Sequence, residues 1–435
     1  MAALRHLLAE QRFRQLFAVR VTSQCFDGVF QVALASYVLF SPEHQPDATA
    51  IAAGLAAVLL PFSVLGPFAG VWLDRWSRRQ VLLVFNLARV VPVLAVGVLI
   101  GADRLGLTLF ALVLVAFSVN RFLLAGLSAA LPHVVQADEL VLANSITPTC
   151  GTIAYLLGIG VASGLRPVIP LGHPDVGIVV VAALGYAAAG LLALRMPRAL
   201  LGPTFDPQRP QAREAVRSVA MGLRAGLRHL RERPVAAQAL GVIAAHRFCY
   251  GLSTVATILL YRNYFYGPAQ TDAALAGLSI AVGVSGVGFL TAALITPPAT
   301  TVVSPQRWMV LLLAMAAVVE VFPGALFTQA SLLVAAFALG VSAQGVKICV
   351  DTLVQTHVDD GFRGRVFSLY DVVFNVVFVA AAAVGAGIIP RNGKSYAVLA
   401  VIAIGYAAAG ALYARGLRRL SELASHRASG QQHGG

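Results

Sequence analysis

Asp27, Arg121, Arg247 and His246 each interrupt an apolar run of a length that spans a membrane as a helix. Charge at that depth is costly unless it faces a polar interior, so such residues mark functional sites by default. A buried carboxylate can take up a proton or hold a cation, and arginines supply fixed counter-charge. Asp27 is therefore the candidate acceptor of a proton or a cationic substrate. Arg121, Arg247 and His246 are candidates for the same polar cavity. Arg89, Lys347 and Glu320 also fall within runs, with plainer readings. Arg89 and Lys347 can snorkel or bond backbone carbonyls, and Glu320 can face an outer vestibule. Asp371 opens a run, where a carboxylate suits a helix N-terminus.

Nothing in the chain suggests catalysis. The nine His are dispersed, and Gly-x-Ser-x-Gly, His-Glu-x-x-His and a lysine-bearing phosphate loop are all absent. Cys25, Cys150, Cys249 and Cys349 stand singly in apolar surroundings and read as small buried hydrophobes. We therefore expect no enzyme activity, no metal and no cofactor. A membrane-embedded enzyme or scaffold remains a distant rival, because no catalytic cluster shares one depth.

The elements that must position these charges are membrane helices. Of 435 residues 58% are hydrophobic and 12% charged, far fewer charges than a soluble domain carries. Twelve apolar spans can be drawn: 14–40, 50–73, 80–101, 105–131, 144–165, 176–196, 235–261, 272–296, 307–327, 329–352, 366–389 and 395–415. The first is too long for a signal-peptide core and is kept as a span. The net charge of +13 is not a nucleic-acid signature, since the arginines lie in short loops beside the spans. Of the 32 Lys and Arg, 23 fall in the termini and even-numbered loops, 5 in odd-numbered loops and 4 within spans. That bias places both termini in the cytoplasm of a multi-pass protein of a bacterial inner or plasma membrane.

Residues 197–234 form the one long connection, opened by Pro197, Pro203, Pro207 and Pro210. Beyond them Val216, Val219, Leu223, Leu227 and Leu230 recur at helical spacing opposite Arg213, Arg217, Arg224, Arg228 and Arg231. Such a basic amphipathic helix suits the lipid of the inner leaflet. The chain thus divides into a bundle over 1–196, this linker, a second bundle over 235–416 and a disordered tail over 417–435. An internal repeat supports two halves. Leu184-Gly-Tyr-Ala-Ala-Ala-Gly-Leu-Leu-Ala-Leu-Arg195 returns as Ile404-Gly-Tyr-Ala-Ala-Ala-Gly-Ala-Leu-Tyr-Ala-Arg415, offset by 220 residues.

Between the second and third spans lies Gly70-Val-Trp-Leu-Asp-Arg-Trp-Ser-Arg-Arg79. Gly70, Asp74, Arg75, Arg78 and Arg79 resemble the loop 2–3 signature of the major facilitator superfamily, with Ser77 where the family usually has glycine. Phe13 to Asp27, Leu131-Pro132 through Leu140-Val-Leu-Ala-Asn-Ser145, and Arg363-Gly-Arg-Val-Phe-Ser368 resemble its twelve-helix drug and siderophore exporter branch, which includes the enterobactin exporter and macrolide-efflux proteins. In the fifth span Gly158, Gly160 and Gly164 match the antiporter signature without its proline. In the fourth, Arg121 resembles the arginine of proton-coupled members, with the following glycines displaced by one.

This resemblance implies an all-α membrane fold of two pseudo-symmetric six-helix bundles and transport by alternating access. It implies export of an amphipathic or hydrophobic small molecule, coupled to protons, with a lipid, lysolipid, anionic metabolite or siderophore as the alternative substrate. Gly70, Asp74, Arg75, Arg78, Arg79, Arg363, Arg365 and Asp371 would form its gate loops. The partners are a small-molecule substrate, a proton and membrane lipid, with no nucleic acid.

Overall fold

A computed structural model of the chain describes residues 7, 9–40, 48–64, 68, 76–136, 140–169, 173–202, 212–267 and 269–432. Gly70, Asp74 and Arg75 lie outside the described residues, as does the side chain of Arg363. An apolar chain in hydrocarbon must satisfy every backbone N–H and C=O internally, which leaves helices or closed barrels. Among the described residues there are thirteen α-helices and no strand.

The first six are α1 (Gln11–Ala35), α2 (Ala48–Val64), α3 (Arg78–Gly101), α4 (Leu107–Ala130), α5 (Leu140–Leu165) and α6 (Pro174–Leu192). The linker holds α7 (Ala212–Glu232). Then come α8 (Pro234–Asn263), α9 (Thr271–Val302), α10 (Pro305–Val321), α11 (Gln329–His357), α12 (Asp360–Ile388) and α13 (Tyr396–Gln432). Ten are long and apolar enough to cross a membrane. Of the other three, α1 is long but carries Arg12, Arg14, Arg20 and Asp27, α2 is described over 17 residues, and α7 is amphipathic.

Two expectations are corrected. The last helix continues to Gln432 instead of giving way to a disordered tail at 417. Asp371 is not a first-turn acid, because α12 begins at Asp360 and Asp371 sits about three turns inside it.

The chain falls into two compact units, Met1–Met221 with Tyr266–Ser279, and Gly222–Phe265 with Ile280–Gly435. In the first, α1 packs on α5 and α6, and α3 packs on α4 and α6. In the second, α8 packs on α12 and α13, and α10 packs on α11 and α13. Each of these four contacts in the first unit is thus repeated seven helices later in the second. Close crossings need glycine. A Cβ on Gly28 of α1 would strike the Tyr155 carbonyl of α5, and one on Gly158 of α5 would strike the Cys25 carbonyl of α1. Gly160 and Gly164 have open space instead.

In the first unit the buried side chains form two apolar layers. One holds Phe13, Leu16, Leu82, Leu123 and Leu127, the other Phe30, Val93, Val96, Val113 and Ile178. The polar residues of α1, α3 and α4 fall between them in sequence.

Candidate functional site

Asp27 sits on α1 with Ser23 one turn earlier, so both share a face. On α3, Asn86 and Arg89 share a face in the same way. These faces meet. Arg89 Nη1 donates to Asp27 Oδ1 at 3.0 Å and to Asn120 Oδ1 of α4 at 3.0 Å. Its Nη2 donates to Ser23 Oγ at 2.6 Å and to Asn86 Oδ1 at 2.8 Å. The guanidinium carbon lies 3.5 Å from the ring centroid of Tyr186 on α6, whose hydroxyl donates to the Phe26 carbonyl. Arg89 is 1% exposed and Asp27 6%. Asn120 and Tyr186 also reach the Asp27 carboxylate.

The partner of Asp27 is therefore Arg89, which the sequence left to snorkelling, and not Arg121. Arg121, one residue beyond Asn120, is half-buried and is not among the side chains that bind Asp27. A buried pair endures only where geometry and extra hydrogen bonds offset desolvation, and this pair has both. Ser23 lies within the first-helix resemblance, whereas Asn86, Asn120 and Tyr186 escaped the sequence reading as site residues. The signal was there: polar residues three or four apart in otherwise apolar helices.

In the second unit, α8 presents His246, Cys249, Tyr250 and Ser253 at helical spacing, so they line one face. His246 is fully buried, with Nε2 3.2 Å from Ser342 Oγ of α11. Ser342 donates its single proton to the Leu312 carbonyl at 3.1 Å. His246 must then be the donor through Nε2, which leaves buried Nδ1 as an unbonded acceptor. This imidazole is neutral, because a second N–H would be buried with no acceptor. Its ring centroid is 5.3 Å from that of Tyr406 on α13, the counterpart of Tyr186 in the repeat.

Arg247 points elsewhere. Its guanidinium carbon lies 3.9 Å from the Phe374 ring centroid, 4.5 Å from Phe378 and 5.7 Å from Tyr250. Its one hydrogen bond runs from Nε to the Phe374 carbonyl, and among the described residues it has no carboxylate partner. Lys347 bonds Asp351 one turn along α11 at 2.6 Å. Glu320 does not face a vestibule. It is 4% exposed and hydrogen-bonded to Ser253.

Arg78, Arg79 and Arg365 each hold a neighbouring segment. Arg78 donates to the Leu201 carbonyl and Arg79 to the Met196 carbonyl, so both hold the segment that leaves α6. Arg365 lies over the Phe362 ring and against Gly222 and Gly226 of α7. The same linker helix is held by Arg233, which bonds both oxygens of Asp359 at 2.8 Å. That bond keeps the Asp359 carboxyl below the usual carboxylate range. The linker helix is thus docked on the start of α12, in addition to any lipid it meets. Asp371 is exposed.

The helix order, paired packing and two buried polar centres match a known architecture. The Major Facilitator Superfamily profile matches residues 16–382. The chain belongs to that superfamily. Uncharacterised MFS-type transporters of Mycobacterium bovis and Mycobacterium tuberculosis are 36% identical over 394 residues, covering 88% of this chain and 86% of each relative. Among solved structures, the nucleoside transporter NupG aligns with a TM-score of 0.70 at 14% identity, over 94% of this chain and 99% of that one. A mutant of the peptide transporter POT aligns with a TM-score of 0.70 at 13% identity, over 94% of each chain. At such identities these likenesses carry the fold alone. The chain is a multi-pass, non-enzymatic transporter of the superfamily.

Proposed function

We propose that this transporter exports an amphipathic or hydrophobic small molecule by alternating access, driven by a proton gradient, with both termini in the cytoplasm. Arg247 carries the reading. A guanidinium laid on Phe374, Phe378 and Tyr250, with its terminal nitrogens unbonded among the described residues, offers an apolar surface and a fixed charge together. A substrate with an apolar body and a polar head satisfies both. The fixed Asp27–Arg89 pair serves as the rigid centre of the first unit. The glycine crossing of α1 and α5 brings two backbones together and supports the antiporter reading of the fifth span.

A second reading follows from the same residue. Arg247 has no carboxylate of its own among the described residues, which favours an anionic amphiphile such as a lysolipid or siderophore over a cationic drug. Proteoliposomes given a pH gradient and a panel of cationic dyes, lysolipids and siderophores test both readings. Gradient-driven flux of an amphiphile, at least tenfold lower in Arg247→Gln, is expected. A panel that moves only as cations, independently of Arg247, removes the second reading. No flux of any member removes both.

A further inference from the structure

Glu320 is a buried acidic residue that the transporter reading leaves unused. It lies one residue before the end of α10 and is 4% exposed. Among the described residues its one hydrogen-bond partner is Ser253 of α8, and no cation pairs with it. An ionised carboxylate has about four lone-pair sites and, when buried, needs several donors or a cation. Glu320 has one hydroxyl.

The protons can be counted. Ser253 Oγ lies against two oxygens, Glu320 Oε1 and the Cys249 carbonyl one turn back on α8, the latter at 3.1 Å. A hydroxyl carries one hydrogen. If Ser253 gives it to Cys249, the short contact to Glu320 needs a hydrogen from the carboxyl side. Both contacts are then satisfied at once by a protonated Glu320 donating to Ser253, and by Ser253 donating to Cys249.

The same arrangement accommodates proton loss. When the carboxyl O–H bond breaks and its proton passes to water, Ser253 rotates its hydrogen from the Cys249 carbonyl to the new carboxylate. Cys249 is not stranded, because its carbonyl lies within α8 and retains the helical bond from the Ser253 amide. One hydroxyl rotation therefore compensates either state of the acid.

Among the described residues, no charged group bonds to this carboxyl. Cys249 of α8 and Tyr406 of α13 lie near it, and His246, Arg247 and Tyr250 fall within one turn of Cys249 on α8. His246 is committed to Ser342 of α11, and Arg247 to the rings of α12 and its own helix. Cys249 and Tyr406 are neutral in their ordinary protonated forms. Gly324, in the turn after α10, contributes only backbone near the second carboxyl oxygen.

We propose that Glu320 is a reversible proton-binding site, protonated at neutral pH, and that it binds the proton of the transport cycle in place of Asp27. The second half of this statement rests on the proton-driven reading above. The first half stands without it.

Infrared spectroscopy of the full chain in nanodiscs separates the two. Glu320 is the one glutamate within a predicted span, so carbon-13 labelling of glutamate isolates it in the wild-type protein. The expected result is an isotope-shifted carboxylic-acid C=O band at neutral pH that disappears in alkali. The band should be absent from a folded Glu320→Gln variant and unchanged in Asp27→Asn. Absence of a protonated-glutamate band at neutral pH overturns the proposal. In proteoliposomes holding whichever panel amphiphile the wild type moves, Glu320→Gln should lose gradient-driven flux at least tenfold. Counterflow exchange at equal pH should stay within about twofold of wild type. Driven flux within twofold of wild type overturns the coupling half. A wild-type protein that moves nothing overturns the transport reading and the coupling half with it, while the band still decides the proton site.

Discussion

Asp27 and Glu320 are both carboxylates sealed inside membrane helices, and their surroundings could hardly differ more. Asp27 has a guanidinium at 3.0 Å that is itself held by Asn120, Ser23 and Asn86. Glu320 has a serine. The repeat sharpens the contrast. The offset of 220 residues that carries Tyr186 to Tyr406 also carries Asp27 to Arg247. In one unit the equivalent position is an anion with its cation built in. In the other it is a cation on aromatic rings with, among the described residues, no anion beside it. Within one architecture the first unit has a polar centre whose charges are saturated by each other, though Arg89 Nε stays unbonded, and it is suited to stay as it is. The second has an unsaturated one, suited to accept something.

The largest predicted effect tests the saturated side. Arg89→Leu leaves Asp27, Asn86 and Asn120 buried without their common partner. Breaking a buried pair from one side costs about 3–5 kcal/mol. The variant is expected to yield little folded protein, and the survivor to melt far below wild type in detergent. The double variant Asp27→Leu/Arg89→Leu should recover much of that loss, since no lone charge remains. If the single variant melts like wild type, the first unit has no saturated centre and the contrast collapses.

Next in size is Arg247→Lys. A lysine keeps the charge but loses the planar face that lies on Phe374 and Phe378. A desolvated cation–π contact is worth up to about 2 kcal/mol, so a measurable drop in melting temperature is expected, smaller than for Arg89→Leu. Amphiphile flux should fall in parallel. Full stability with full flux would mean that the rings merely fill space.

Glu320→Gln should change stability least among the three, by within about 1 kcal/mol. Glutamine reproduces the size of a protonated glutamic acid and one donor toward Ser253. Asp27→Asn removes a charge that Arg89 needs and should destabilise more. A ranking of these two variants by thermal unfolding sharpens the comparison directly. If Glu320→Gln proves the more damaging, Glu320 is ionised and has a partner that geometry does not display.

The helices themselves were legible because apolar runs of this length have few alternatives in lipid. Asp27 was legible because depth alone makes a charge conspicuous. Its partner was not. Arg89, Arg121 and Arg247 all interrupt apolar runs, and sequence depth does not report which way each helix is rotated. The i, i+3 and i, i+4 polar pairs Asn86/Arg89 and Ser23/Asp27 do report rotation, and would have singled out Arg89. Glu320 was misread for the same reason. A residue near a span end reads as solvent-facing, yet Ser253 and the turn at Gly324 enclose it. The polar first turn of α12 hides its start from a hydropathy reading, so Asp371 reads as a first-turn acid although it lies about three turns inside the helix.

A third carboxylate, Asp359, extends the comparison outside the membrane and carries the smallest effect. Like Asp27 it meets an arginine, here through both oxygens to Arg233 at 2.8 Å, but it is exposed. The Arg233 hydrogen bonds hold its carboxyl below the ordinary range in the folded protein. The bond therefore favours docking of α7 fully above the ordinary carboxylate pKa. It is lost only as pH falls through the lowered folded value. His229 lies 3.6 Å from the same carboxylate and is stacked on Phe362, on the same side of the docking contact. Hydrogen exchange of the α7 amides from Gly222 to Glu232 should thus be slow and pH-independent, after correction for intrinsic rates, at neutral pH. It should quicken in acid and in high salt, because exposed pairs are screened. Asp359→Asn should give the acid behaviour at every pH. Protection that ignores pH, salt and Asp359→Asn would place the docking energy in Phe362 and the glycines of α7, leaving the ion pair a bystander.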